Sequence, residues 1–478
     1  MRSPLQKFTE FTNQLLPHET AYLLSVHQFK DQERLSILQR VDLNATQIEQ
    51  FRPYDTSIDK RKYYHLTNWI IRRLRQIDVD AHFNWMLEME QKIMTDSILA
   101  EEERQLLKAI RHYEYPGFYF SKFYELLDRY RDFLLIRLRY ADHQLVASFL
   151  KEKEKDYLHA KEVREKILLA TKDIVDQYSG RQEESLQWST WLNELFYDEK
   201  LEGYLRYLAL VRMVFISHNH RQYNQLRAPF DFLDQQFRLG RFYSKRLLLN
   251  YYNNRLMLHS NFADYDQAVN YGYLSIRAST QDKLLYTNNL CAVLLRLNRA
   301  QEALKLMQQA SAVAKVTKNM HNRVGFVAFH MEAFIENGLL VQAERYGDVF
   351  LAAYSKEVLG YRWHLFFTIY LTSLLQLNRN EKLLKTMSKY RLLERDHAYT
   401  NNKNYLPVLP YYQLLAQYRE GLIRQKRLME GVEQLVQLHL QSTNAFERFR
   451  KQIAVSFQWI PQLEETLEKW QITMEEQG

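Results

Sequence analysis

The sequence predicts an all-α protein, and three observations predict it. The chain carries only 12 Gly and 8 Pro among 478 residues, well below the roughly 12 % that these two residues make up on average. Apolar residues recur at three and four positions, and no alternating run of strand length interrupts them. Finally, one hexapeptide nearly recurs after 80 residues, and at its two positions and half-way between them stands a residue suited to ending a helix. Dinucleotide-binding and P-loop folds, sandwiches and propellers need glycine or proline at fixed turns, so all are disfavoured. An apolar share of 46 % and a charged share of 26 % describe a globular chain, not a disordered one.

Along the chain, Leu5 to Val41 reads as a leading amphipathic section. Leu126, Leu127, Tyr130, Phe133, Leu134 and Leu138, then Val163, Ile167, Ala170 and Ile174, mark two further helices by their period. Turn chemistry clusters at Pro53-Tyr54-Asp55, Pro116-Gly117, Ser179-Gly180-Arg181, Pro229 and Asn401-Asn402-Lys403-Asn404 before Pro407. Tyr113 to Phe120 reads as an aromatic staple across a helical connection. A long charged helix from about Lys151 ends at Ser179-Gly180, which places a domain boundary there. The expected organisation is an N-terminal helical region over 1–180, a repeat region over 181–440 and a capping helical segment over 441–478, bent near Pro461.

The repeat is the strongest signal. Leu294-Leu295-Arg296-Leu297-Asn298-Arg299 and Leu374-Leu375-Gln376-Leu377-Asn378-Arg379 are nearly one hexapeptide, and Phe334-Ile335-Glu336-Asn337-Gly338-Leu339 lies half-way. Asn and Gly tolerate the left-handed conformation that closes a helix, so Asn298, Gly338 and Asn378 are expected in one structural position. Five residues later Ala303, Ala343 and Leu383 open a second helix, giving units of helix, tight turn, helix. The unit ending at Ala278 is expected to have an irregular turn around Asn261.

Over about residues 242–395 this pattern resembles the tetratricopeptide repeat. Cys291 and Ala303 sit at the small-residue spacing of twelve, flanked by Leu290, Leu294, Met307 and Ala310. Met331 with Ala343, and Leu371 with Leu383, keep that spacing and enlarge its small slots. The family's usual period is about 34 residues, so a period of forty implies longer second helices and connections. The resemblance implies a right-handed α-solenoid of antiparallel helix pairs whose concave face, lined by first helices, binds a peptide or protein partner. By the family spacing, the lining candidates are Asn288, Ala292 and Arg296; Ala328, Glu332 and Glu336; and Thr368, Thr372 and Gln376. The Lys and Asn pair with which some members grip a terminal carboxylate is absent at these positions.

Charge offers an alternative. Residues 1–200 carry 30 basic and 33 acidic side chains, while the remainder carries 35 and 24. Two basic windows, Arg206 to Arg246 and Arg362 to Lys403, interleave with aromatic residues at Arg221-Gln222-Tyr223, Arg241-Phe242-Tyr243, Tyr361-Arg362-Trp363 and Lys389-Tyr390-Arg391. Single-stranded nucleic acid binds such surfaces; aromatic gap-filling under snorkelling Arg stems is the competing structural reading. Arg72-Arg73-Leu74-Arg75 reads as a solvated face.

No catalytic residue, cofactor or metal ligand set is expected. Cys291, the only cysteine, falls in a packing slot where a thiol is inert. His218-Asn219-His220 and Asp78-Val79-Asp80 with His82 are incomplete as ligand sets and fall where helices change. His18-Glu19 lacks the second histidine of a zincin. No phosphate-cradling glycine motif or nucleophile elbow occurs. A single cysteine, no apolar leader and no bilayer-length apolar run lead to the expectation of a cytoplasmic, non-enzymatic interaction scaffold without a membrane partner.

Overall fold

The computed structural model describes residues 5–47, 50–114, 116–178, 185–400, 405–440 and 443–468, and all regular structure among them is helical. The chain divides into two compact units, Met1–Thr280 and Gln281–Gly478. Among the described residues no helix is long and apolar enough to cross a membrane.

The first unit begins with α1 (Gln6–Thr12), α2 (Pro17–Val26), α3 (Gln32–Thr46) and α4 (Lys60–Ile77). Asp31 and Asp59 start α3 and α4 by accepting from the backbone N–H two residues on, at 3.0 and 2.9 Å. Leu23, Leu38, Leu66 and Ile70 form their common core with the stacked edges of Phe8, Tyr54 and Tyr63. A second core joins α5 (Val79–Met94), α6 (Ala100–Arg111), α7 (Phe120–Ile136) and the first turns of α8 (Tyr140–Tyr178) through Met86, Leu106, Leu126, Leu127, Tyr130 and Leu134. Then come α9 (Ser189–Tyr197), α10 (Gly203–His220), α11 (Arg227–Arg238), α12 (Lys245–Asn261) and α13 (Tyr265–Ser275).

The expected boundary at Ser179-Gly180 lies outside the described residues, and the flanking helices belong to one unit. Helix α8 packs on α10; Trp188 Nε1 donates to Asp173 at 2.8 Å, and Arg212 Nε donates to Thr171 Oγ1 at 3.0 Å. The N-terminus is also drawn in. His18 bridges Asp234 and the Tyr252 hydroxyl, each at 2.7 Å, and the buried Glu19 accepts from Tyr243 Oη at 2.5 Å and Lys245 Nζ at 2.9 Å. Arg277 donates to the carbonyls of Asn13, Ala45 and Asn44, at the C-terminal ends of α1 and α3, where a cation complements the helix dipole. The aromatic staple holds as well: Tyr113 stacks on Phe123 and Phe118 meets Phe242 edge-on, with Tyr115 outside the described residues.

The second unit consists of helix pairs: α14 (Lys283–Arg296) with α15 (Ala300–Val316), α16 (Met320–Glu336) with α17 (Leu340–Gly360), and α18 (Trp363–Gln376) with α19 (Asn380–Lys389). After the short α20 (Leu392–Tyr399), α21 (Val408–Arg419) pairs with α22 (Gln425–His439). Successive leading helices pack on one another, α14 on α16, α16 on α18 and α18 on α21.

The expected turns are present. Asn298, Gly338 and Asn378 have φ of 57°, 73° and 57°. In each, the next N–H reaches the carbonyl five residues back, Leu294, Phe334 and Leu374, at 2.9, 2.9 and 2.8 Å, which is the Schellman pattern of helix closure. The slots twelve residues apart, Cys291 with Ala303, Met331 with Ala343 and Leu371 with Leu383, are all fully buried. The turn after Asn261 is not irregular. Ala263 has φ 58° and Asp264 N–H bonds His259 O at 3.0 Å, so α12 closes as the others do. Gly421, φ 72°, closes α21 in the same way through Leu422 N–H on Gln417 O at 2.9 Å.

The C-terminal segment holds α23 (Thr443–Ile453), a single 3-10 turn over Ala454–Ser456 and a last described helix over 461–468. It packs against α21, where Phe449 meets Tyr411 edge-on and Arg419 lies over Trp459. The change of direction before Pro461 is a break between helices rather than a bend within one, because proline opens a helix more readily than it continues one.

Candidate functional site

The candidate face is set by the leading helices of the second unit. Residues four apart lie one above the other on a helix, so Arg296 on α14, Glu332 and Glu336 on α16, and Thr372 and Gln376 on α18 form a polar row beside the buried stripe. All five keep part of their surface in solvent, and Arg296 and Glu336 are the most exposed of them. Two other candidates face inward. Asn288 is buried and donates to the backbone carbonyl of Asn322 at 3.0 Å, tying α14 to the start of α16. Thr368 is 9 % exposed. An amide one turn nearer the start of its helix meets the neighbouring pair, which the repeat spacing alone does not reveal.

Glu332 is the centre of this row. Burial, and then the charge of Glu336, push its carboxyl up to about 7, with Arg296 opposing. The same carboxylate raises the Cys291 thiol, itself fully buried and displaced chiefly by desolvation, and acts on the Tyr412 hydroxyl of α21. Cys291 is therefore a packing residue. Thr372 Oγ1 donates to Thr368 O at 2.8 Å and meets Tyr412 Oη at 2.7 Å, and Tyr412 also bonds Gln452 of α23. This polar line carries the face of α18 toward the terminal segment.

There, a cavity of about 310 Å³ opens between the start of α18, α20, the start of α21 and α23. Arg362, Trp363, Thr368, Tyr399, Arg448 and Gln452 are among its lining. The sequence marks Tyr361-Arg362-Trp363 as an aromatic and basic interleave; that α23 closes the space is a tertiary fact with no local signal.

Several cations of the two basic windows already have partners within their own unit. Arg206 is buried, donating to Phe196 O at 2.9 Å, and Arg238, Lys245 and Arg246 pair with Asp234, Glu19 and Asp80. In the second window Lys382 pairs with Glu344 and Asp348, and Lys385 pairs with Glu381. The residues considered for metal ligation are occupied by other tasks. Asp78 caps α5, Asp80 takes both Arg246 contacts, His82 stacks on Trp85, His218 meets Tyr223 Oη, and His220 meets Gln177. No family model, curated protein or solved structure matches the chain.

Proposed function

We propose that the second unit is a tetratricopeptide-like right-handed array of antiparallel helix pairs. It serves as a non-enzymatic scaffold that binds a peptide or protein along the face of its leading helices. One observation carries the reading. Arg296, Glu332, Glu336, Thr372 and Gln376 recur on one side of three stacked helices and remain partly exposed, although the pairs are locked by the buried slots beside them. A row of polar groups on stacked helices that stays in reach of solvent is what a recognition surface needs. The test is affinity capture with wild type and with a combined Arg296→Glu, Glu336→Lys, Gln376→Glu variant of unchanged helical content. Loss of a wild-type partner from the variant is the expected result; retention of every partner removes the face from consideration.

A second reading, nucleic-acid binding, is favoured by a surface on the first unit. Helix α4 contains no Asp or Glu and exposes Arg61, Tyr64, Arg72 and Arg75. These three arginines have no ion-pair partner among the described residues. Retention of labelled single-stranded RNA at low salt, falling by about one log unit per phosphate contact as salt rises, would support it. No retention by the wild type would eliminate it.

A further inference from the structure

We propose that the cavity between α18, α20, α21 and α23 is a binding site for an aryl phosphate. Its lining carries two guanidinium groups, Arg362 and Arg448, and no carboxylate. Asp396, the carboxylate beside His364, is 1 % exposed, accepts from Tyr405 Oη at 2.6 Å and is not part of the lining.

Arg362 is built into place. Its Nε donates to His321 Nε2 at 2.8 Å, an acceptor kept neutral by burial and by the arginine itself. That bond therefore positions the guanidinium without cancelling its charge. Room for it comes from Gly325 on α16, where a β-carbon would stand 2.9 Å from Arg362 Nη1. Thr368 lines the cavity with its hydroxyl out of reach of solvent.

The shape of the ligand follows from the remaining walls. Trp363 and Tyr399 stand edge to face, with ring centroids 5.7 Å apart, and His364 stacks on Tyr399. With Val408 these rings make the aromatic and apolar part of the wall. Two forked guanidiniums match the terminal oxygens of a phosphate monoester better than the two oxygens of a carboxylate. The volume lies at the small end of ligand pockets, about 300–1,000 Å³, enough for one ring and its phosphate. A free metabolite and a phosphorylated tyrosine side chain present this same chemistry, so the inference does not depend on the peptide-binding face.

Isothermal calorimetry of the full chain with phenyl phosphate tests it, with phenol and inorganic phosphate as single-feature controls. Phenyl phosphate should saturate one site, and each control should bind roughly tenfold or more weakly. Arg448→Gln and Arg362→Gln should each weaken phenyl phosphate by about tenfold with unchanged helical content. If either fails to fold, Arg448→Lys and Arg362→Lys, which lose the fork and keep the charge, read the same site. A phosphotyrosine peptide binding more tightly than phenyl phosphate assigns the ligand to a partner chain, and equal affinity assigns it to a free molecule. Absence of saturable binding at millimolar phenyl phosphate, or affinity untouched by both substitutions, overturns the proposal.

Discussion

Glu332 and His330 lie two residues apart on α16 and oppose each other as pH changes. The Glu332 carboxyl, raised to about 7 by burial, holds a proton in the folded chain that the unfolded chain has lost above about 4.5. Its contribution is full in acid and declines as pH rises from there to 7. His330, buried among Phe326, Phe334 and Tyr346, is lowered to about 4 by desolvation. Its contribution is full above about 6.5 and declines as pH falls toward 4. Glu332→Gln should therefore stabilise the protein at pH 8 by about 2 kcal/mol, since Glu332 keeps some solvent contact, and His330→Phe should do so at pH 5. Urea melts across this range check both; a Glu332→Gln chain no more stable than wild type at pH 8 contradicts the assignment. The repeat spacing put Glu332 on the right face. That a carboxylate there loses much of its water depends on helices 40 and 80 residues away, which a sequence window does not contain.

At the level of the helix pair, the backbone closes each leading helix whatever side chain stands at the turn. Gly338 has open space where a β-carbon would lie, so Gly338→Ala should cost only the left-handed strain, about 1 kcal/mol. Ala263, held at φ 58°, should give back a similar amount on Ala263→Gly. Equal urea midpoints for wild type and both variants would contradict the common turn. Asn and Gly made three of these turns legible, whereas alanine gave no sign at 263, because its conformation there is imposed by Asp264 N–H reaching back to His259. The enlarged slot at Met331 has a compensating residue that spacing did not disclose. A β-carbon on Gly347 of α17 would lie 2.5 Å from Tyr370 and 2.8 Å from Met331 Sδ, so α17 approaches α16 and α18 through that glycine. Gly347→Ala should cost about 1–3 kcal/mol by overpacking, read as a lower melting temperature, and Met331→Ala in the same chain should restore part of it. Equal melting temperatures for wild type and Gly347→Ala would remove the close approach.

Across whole units, the all-helical class was legible from composition and period, and the pairing of distant charges was not. The drop in acidic residues after residue 200 suggested a separate basic region, but Lys245 and Arg246 find their partners 226 and 166 positions earlier. Charge read along a chain says where cations are, not whether they are already matched. Arg277 is the clearest instance. Arg277→Met would leave the carbonyls of Asn13, Asn44 and Ala45 without this donor and should cost about 2–4 kcal/mol of first-unit stability. Limited proteolysis should then cut earliest within the first fifty residues; an unchanged cleavage pattern would mean that the contact is incidental.

The same arginine bears on how the chain is made. Asn13 and Arg277 are separated by 264 positions, and ribosomes add roughly 5–20 residues each second. For tens of seconds, the carbonyls that end α1 and α3 wait in every nascent copy for the guanidinium that later ties them down.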